Sequence, residues 1–335
     1  METVNVAQIG VGYWGPNLLR NLIASPRFDV KAVVDLSPER RAFVKGLYPE
    51  VPLKEDVREV LDDPAISAVV IATPVMTHFD LAMQFLAAGK HILVEKPMAT
   101  MVAEVERIRD LACRKGLVAM VGHTFMYNPA VRYLKKLVDS GDLGEIRYIY
   151  SQRLNLGRIR SDVDALWNFA PHDVSIIQYL LNDIMPSSMH RQGMDYIQKG
   201  IDDVVFLTIV YPNKVVAHVH VSWLDPRTVR SMTIVGSKKM VIYDDIAENK
   251  IAIYDKGIER KAVLGENMDF DHPSLFTLNY HFGDVLLPRI NFEEPLKVEV
   301  AHFADCILNG AECITGPEHA LKVVKLLSCE GSCSE

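Results

Sequence analysis

Near the start of the chain, Gly10-Val11-Gly12-Tyr13-Trp14-Gly15 combines residue types and spacing in a way that points to one kind of ligand. The apolar run at residues 4–9 reads as a strand, and the segment after Gly15 has helical periodicity. Between them the glycines have separate tasks. Gly10 permits a tight turn, Gly12 lets a pyrophosphate approach the backbone, and Gly15 lets the helix pack on the strand with its N-terminus facing phosphates. Asp35 lies twenty residues beyond Gly15, at the end of the second apolar run. A carboxylate there accepts hydrogen bonds from ribose hydroxyls and repels a 2′-phosphate, which favours NAD over NADP. Tyr13 and Trp14 could shield that cofactor, touch a substrate, or pack beneath the loop.

Two more groups sit at the ends of later apolar runs. Ala72-Thr73-Pro74 closes the third run and His78 follows in the next helix. In an open parallel sheet the ligand lies across the carboxyl ends of the strands, so Thr73 and Pro74 are placed to line the nicotinamide half of a dinucleotide. His78 taken alone is more often a helix-surface or capping residue than a ligand contact. Glu95-Lys96-Pro97 ends the fourth run; the proline favours extended backbone before it, and a lysine facing an oxidised nicotinamide would have its pKa lowered. Such a lysine can orient or deprotonate an alcohol, whereas a solvated strand end is the plainer reading of the same pair. His123 follows the fifth run, where it could contact substrate or make an interdomain hydrogen bond.

The elements that must hold these residues are legible as two grammars. Short apolar runs at 4–9, 30–34, 68–72, 91–94 and 117–121 alternate with helical segments, the pattern of a doubly wound parallel sheet. Pro16 suits a first helical turn, and Gly89 and Gly116 suit left-handed helix ends. After Asn128-Pro129 a helix at 130–138 leads into alternating strands at 145–154, 204–211, 214–223, 231–235, 240–243 and 251–254, an open antiparallel sheet interrupted by a helix at 172–181. Two helices, 297–308 and 318–327, close the chain. The expected fold is α/β, with a nucleotide-binding domain over residues 1–121 and a substrate-binding and oligomerisation domain over 122–335.

A chain of 335 residues suits two such domains. Its formal charge of −7 and lack of basic runs argue against nucleic acid or an anionic membrane as partner. No stretch reads as a signal peptide or a membrane span, so the expected compartment is the cytoplasm. Cys113, Cys306, Cys313, Cys329 and Cys333 form no C-x-x-C pair, and neither a disulfide framework nor a metal site is expected from them. His218 and His220 alternate on one strand and face the same way, but no third ligand has a matching spacing, so a surface or interface pair is the better reading.

The glycine fingerprint, Ala72-Thr73-Pro74 with His78, Glu95-Lys96-Pro97 and the later His172 together resemble the Gfo/Idh/MocA oxidoreductase family over nearly the whole chain. The resemblance implies a Rossmann domain, an α/β domain whose open sheet supports a homodimer or homotetramer, and action on sugars, inositols or nucleotide-sugars. The stretch Asp164-Ala165-Leu166-Trp167-Asn168-Phe169-Ala170-Pro171-His172-Asp173 is most similar to enzymes that oxidise a UDP-linked N-acetylated sugar, or its uronic acid, at C3. By position it makes Lys96 the active-site lysine and His172 the general acid/base, with Glu95 and Lys96 also beside the cofactor and Lys96, His123, Asn168 and His172 on the substrate. The family pattern has aspartate four residues before this histidine; here Asn168 can orient a hydroxyl but cannot accept its proton. Asp173 could cap a following helix. Two rivals share these motifs: a glycosidase that uses tightly held NAD for transient redox, and a regulator that binds nucleotide only to sense it.

Overall fold

The computed structural model describes residues 2–262 and 276–329. Cys333 and the far end of the expected second domain lie outside the described residues.

The chain forms two compact units. The first is Met1–Asn128 with Glu293–Glu330, and the second includes Pro129–Phe292. The boundary expected after residue 121 therefore moves to 128, and residues 293–329 group with the first unit rather than the second. The sequence reading missed this return because helical periodicity says which face is buried but not against what.

In the first unit β1 (Val4–Ile9), β2 (Phe28–Val34), β3 (Leu53–Lys54), β4 (Ala68–Ile71), β5 (His91–Glu95) and β6 (Ala119–Gly122) make a sheet in the order β3-β2-β1-β4-β5-β6. Every pairing is parallel, as the alternation of strands and helices predicts. The reversal of order between β1 and β4 is the position where such sheets open a ligand crevice. β4 is Ala-Val-Val-Ile with all four residues buried, the composition of a strand covered on both faces. The connecting helices are α1 (Gly15–Ala24), α2 (Pro38–Leu47), α3 (Arg58–Leu61), α4 (His78–Ala87) and α5 (Val102–Lys115). Gly89 and Gly116 have φ of +80° and +63°, the left-handed geometry expected of them.

In the second unit α6 (Pro129–Asp139), β7 (Ile146–Leu156) and α7 (Ala165–Leu180) come first. Seven strands follow: β8 (Ser188–Met194), β9 (Val204–Val210), β10 (Val216–Ser222), β11 (Leu224–Gly236), β12 (Met240–Asp244), β13 (Ile251–Ala262) and β14 (Phe276–Leu286). They join β7 in the order β14-β13-β12-β11-β7-β10-β9-β8, antiparallel except where β10 runs parallel to β7. The inward residues of β9 and β10, Val205, Leu207, Ile209, Ala217, Val219 and Val221, are all fully buried, so strict alternation fixes the register. On the other face Phe206 stacks on His220 with ring centroids 4.3 Å apart, and Tyr150 lies 5.7 Å from His218. The two histidines thus join an aromatic surface.

Two helices, α8 (Pro295–Asn309) and α9 (Pro317–Leu327), complete the first unit: α8 packs on α1 and α9 on α5. Among the described residues no helix is long and apolar enough to cross a membrane.

Candidate active site

The glycine loop is built as its residue types require. Gly10 has φ +90°, and a Cβ there would lie 2.7 Å from the Ala72 carbonyl oxygen. A Cβ on Gly15 would lie 2.7 Å from the Gly10 carbonyl, so α1 meets the end of β1 too closely for any side chain. Gly12 differs: its Cβ direction opens on space with no atom within 4 Å, as a loop that must admit a phosphate requires. No side chain caps α1 and no acidic residue occupies its first turn, which leaves its positive end to an anion. Buried Gln8 ties the loop from below, its Nε2 donating to the Gly10 and Gly15 carbonyls at 2.9 and 2.8 Å. Nothing in the sequence pattern singled out Gln8, which sits inside an apolar strand.

Asp35 is locked to this loop. Its Oδ2 accepts from the Val11 amide at 2.8 Å and its Oδ1 from the Ser37 amide at 2.9 Å. Each oxygen keeps a lone pair for a further donor, so the carboxylate remains able to accept ribose hydroxyls. Arg41 donates to the Asp35 and Leu36 carbonyls and pairs with Glu55 at 2.9 Å, so its charge is engaged close to Asp35. The donor set and the open space at Gly12 fit a dinucleotide. Tyr13 is 87% exposed and Trp14 41% exposed, so neither is packed away beneath the loop.

At the ends of β4 and β5, His78 clamps two turns together. Its Nδ1 lies 2.8 Å from the Pro97 carbonyl oxygen and its Nε2 2.9 Å from that of Thr73. Burial pushes its pKa down, so the neutral ring donates its one N–H to either carbonyl and sits wedged between the Thr73-Pro74 and Lys96-Pro97 turns. Thr73 Oγ1 lies 2.7 Å from Thr77 Oγ1, while Pro74 is exposed at the turn. The Lys96-Pro97 peptide is cis.

Beside Lys96 is a buried acid pair visible only in three dimensions. The carboxyl of half-buried Glu95 accepts from the Lys96 amide at 3.2 Å, bonds the Trp14 side chain, and lies 3.3 Å from where a Gly122 Cβ would be. Desolvation pushes its pKa to about 7 despite the neighbouring Lys96. Glu299 of α8, 1% exposed, is pushed well above the carboxyl range by burial and then by Glu95, and neither of its carboxyl oxygens has a hydrogen-bond partner among the described residues. His123 is 2% exposed and meets His319 edge-on at 5.0 Å; burial, then His319 and Lys96, hold its pKa well below the usual histidine value.

The acid pair has a measurable consequence. Because Glu95 has a folded pKa of about 7 against 4.5 for the free group, the folded state holds an extra proton between those values. The contribution of Glu95 to stability is therefore fully present below pH 4.5 and is lost as pH rises through 7. Across that window the unfolding free energy of the unmodified protein, relative to Glu95→Gln, is expected to fall by on the order of 3 kcal/mol. Urea titrations at pH 4.5 and 8 measure it, and a constant difference would refute the assignment.

In the second unit Asp164 caps α7, its Oδ1 accepting from the Trp167 amide at 2.9 Å. The helix begins at Ala165, not at residue 172, and carries Pro171 in its interior. Asn168 and His172 are four residues apart, hence on one face of the helix, and both are half-buried. Asp173 caps nothing. It is buried in mid-helix, accepting from Arg153 Nε and from Ser151 Oγ, each at 2.7 Å. Alternation along β7 places Ser151 and Arg153 on one face, but the partner they share lies 22 and 20 residues away.

The structure thus gathers Gly10, Gly12, Gly15, Asp35, Thr73, Pro74, Glu95, Lys96 and His123 along the carboxyl ends of one sheet, and Asn168 with His172 on one helix.

Comparison with known proteins agrees with this architecture. A family model described as an oxidoreductase family with an NAD-binding Rossmann fold, GFO_IDH_MocA, matches residues 4–123, and the GFO/IDH/MocA C-terminal domain matches residues 131–242. The chain is 25% identical over 319 residues to the scyllo-inositol 2-dehydrogenase (NAD(+)) of Bacillus subtilis strain 168, covering 92% of this chain and 87% of that one. It is 29% identical over 193 residues to the scyllo-inositol 2-dehydrogenase (NADP(+)) of the same organism, covering 56% and 53%. With the first three curated relatives the alignments span 65%, 53% and 46% of those proteins. The fold also matches the crystallised UDP-N-acetylglucosamine 3-dehydrogenase of Acidithiobacillus ferrooxidans, with TM-score 0.79, 22% identity, and coverage of 98% of this chain and 96% of that one.

Proposed function

Because the chain belongs to the Gfo/Idh/MocA oxidoreductase family, we propose that it is an NAD-dependent dehydrogenase of a sugar secondary hydroxyl, its substrate a UDP-linked N-acetylated hexose or uronic acid oxidised at C3. The observation that carries the reading is the Gly10–Gly15 loop with Asp35 bonded to it and Lys96 just past the end of β5 in the same sheet. Relatives that act on inositols and a structural neighbour that acts on a UDP-sugar support the substrate class.

When bound, the nicotinamide supplies the redox chemistry by taking a hydride from the substrate carbon. The chain's own residues do the rest. Lys96 holds and polarises the reacting oxygen, His172 takes its proton, and Asn168 orients the hydroxyl. Gly12 and the start of α1 hold the pyrophosphate, and Asp35 holds the ribose hydroxyls. The exposed aromatic residues Tyr148 and Phe206 on the second sheet favour a homodimer or homotetramer. With no basic run and no spanning helix among the described residues, the proposed setting is the cytoplasm, with neither nucleic acid nor membrane as partner.

The test is to load the protein with NAD and record reduced-nicotinamide absorbance on adding UDP-sugars, free sugars and inositols, at enzyme concentrations that reveal one turnover. A rise with one class establishes the dehydrogenase and names its substrate. Silence from every class despite tight NAD binding would overturn the proposal and favour transient redox or nucleotide sensing.

Two substitutions sharpen it. Asp35→Ala removes charge-assisted hydrogen bonds worth ~1.5–3 kcal/mol each, so NAD affinity should fall about tenfold or more while NADP binding changes little. If the unmodified protein already prefers NADP, the role given to Asp35 is wrong. Asn168→Asp should raise kcat by about tenfold or more by placing a charge one helical turn before His172, and an unchanged kcat would remove position 168 from the proton path.

A further inference from the structure

Away from these residues, three side chains with metal-binding atoms converge in the C-terminal part of the first unit. His302 and Cys306 are one turn apart on α8 and share a face. Gly310, at φ +64°, ends that helix in the left-handed conformation, and the chain returns to bring Cys313 alongside. The ligand atoms of His302, Cys306 and Cys313 all lie within 4.8 Å of one another, the sole such group among the described residues. The three lie in a pattern of H-x3-C-x6-C, which has no C-x-x-C signature to betray it in the sequence.

The spacing suits a tetrahedral ion. Zinc bonds of about 2.3 Å to sulfur and about 2.0 Å to nitrogen put the N···S edge of a tetrahedron at about 3.5 Å. His302 Nε2 and Cys306 Sγ are 3.4 Å apart. The Ile314 amide donates to the same Nε2 at 3.2 Å, so that nitrogen carries a lone pair rather than a proton, the tautomer able to ligate a metal once the amide yields its place. Those two long hydrogen bonds are what an ion would replace.

The site is also anchored. The Val121 amide on β6 donates to the Thr315 carbonyl at 2.8 Å, and Tyr127 Oη lies 2.9 Å from Thr315 Oγ1, fixing the segment that carries Cys313. The Tyr127 ring stands 5.5 Å from that of His302. Cys306 is buried while His302 and Cys313 are half-buried, so the cluster has a dry base and a side open to solvent.

We propose that His302, Cys306 and Cys313 form a Cys2His site for a soft divalent cation, zinc foremost, with water in the fourth position. The ion ties α8 to the segment before α9, and its place in the fold is structural. It does not depend on the reaction proposed above.

The full chain, stripped of metal under reducing conditions, is titrated with cobalt(II) and then zinc. The expected result is a single equivalent of cobalt with a thiolate-to-metal charge-transfer band, displaced by zinc, and a zinc-dependent rise in Tm. Cys313→Ser, at a half-buried position where a hydroxyl is tolerated, should fold, lose the band and lose the Tm response; His302→Gln should do the same. Absence of the band from the reduced protein would overturn the proposal, as would a band undiminished in both variants. A Cys306–Cys313 disulfide together with failure of the reduced thiols to take up cobalt would replace it with a redox pair.

Discussion

Lys96→Met should leave NAD binding within a few-fold and lower substrate-dependent NAD reduction by about 10³-fold. Methionine keeps an unbranched apolar side chain of similar length, so the change removes a cation rather than volume. That cation is felt by several neighbours. It opposes the upward shift of Glu95 and adds to the downward shifts of His78 and His123. In the variant Glu95 should hold its proton to higher pH, and the histidines should become easier to protonate. A purely architectural lysine would lower affinity and rate together. A lysine that polarises the reacting oxygen lowers kcat while NAD affinity, read by fluorescence quenching, stays near its original value. An unchanged rate would remove Lys96 from the mechanism.

Asp173→Ala should be among the most destabilising single substitutions in the second unit, at ~3–5 kcal/mol, because it removes the carboxylate bonded to the buried Arg153 guanidinium. The double variant Arg153→Met with Asp173→Leu should recover much of that loss, since the desolvation of both ions disappears along with their attraction. Urea unfolding of the three proteins measures it. A loss below about 1 kcal/mol for the single variant would mean that water reaches the pair. The effect reaches the proposed site through the helix: Asp173 adjoins His172, and its bonds to Ser151 and Arg153 pin α7 to β7. Even where Asp173→Ala remains folded, its kcat should fall more than its affinity for NAD.

These two residues mark what could and could not be read from the sequence. The role given to Lys96 came only from the family resemblance, but its position was legible because it follows a buried parallel strand, and both the apolar run and the proline after it are local facts. The same is true of the glycine loop, of Asp35, and of the left-handed ends at Gly89 and Gly116. The role of Asp173 was not legible, since its partners come from a different element and the proline at 171 masks the helix in which it sits. β8 escaped notice for another reason: Ser188–Met194 is mostly exposed and polar at a sheet edge, so it lacks alternation. Glu299 and His319 were out of reach altogether. Each lies within a helix whose periodicity was recognised, yet their significance comes from packing beside Glu95 and His123, about 200 residues earlier.

The return of α8 and α9 to the first unit also bears on how the protein is made. A ribosome completes all six strands of the nucleotide-binding sheet early, then must synthesise the whole second unit before releasing the helices that cover the sheet. Until Glu299 and His319 emerge, Glu95 and His123 lack the partners that surround them in the finished protein. A nascent chain halted near residue 292 therefore carries the glycine fingerprint with an unfinished flank, a species for chaperones to shelter and proteases to clear.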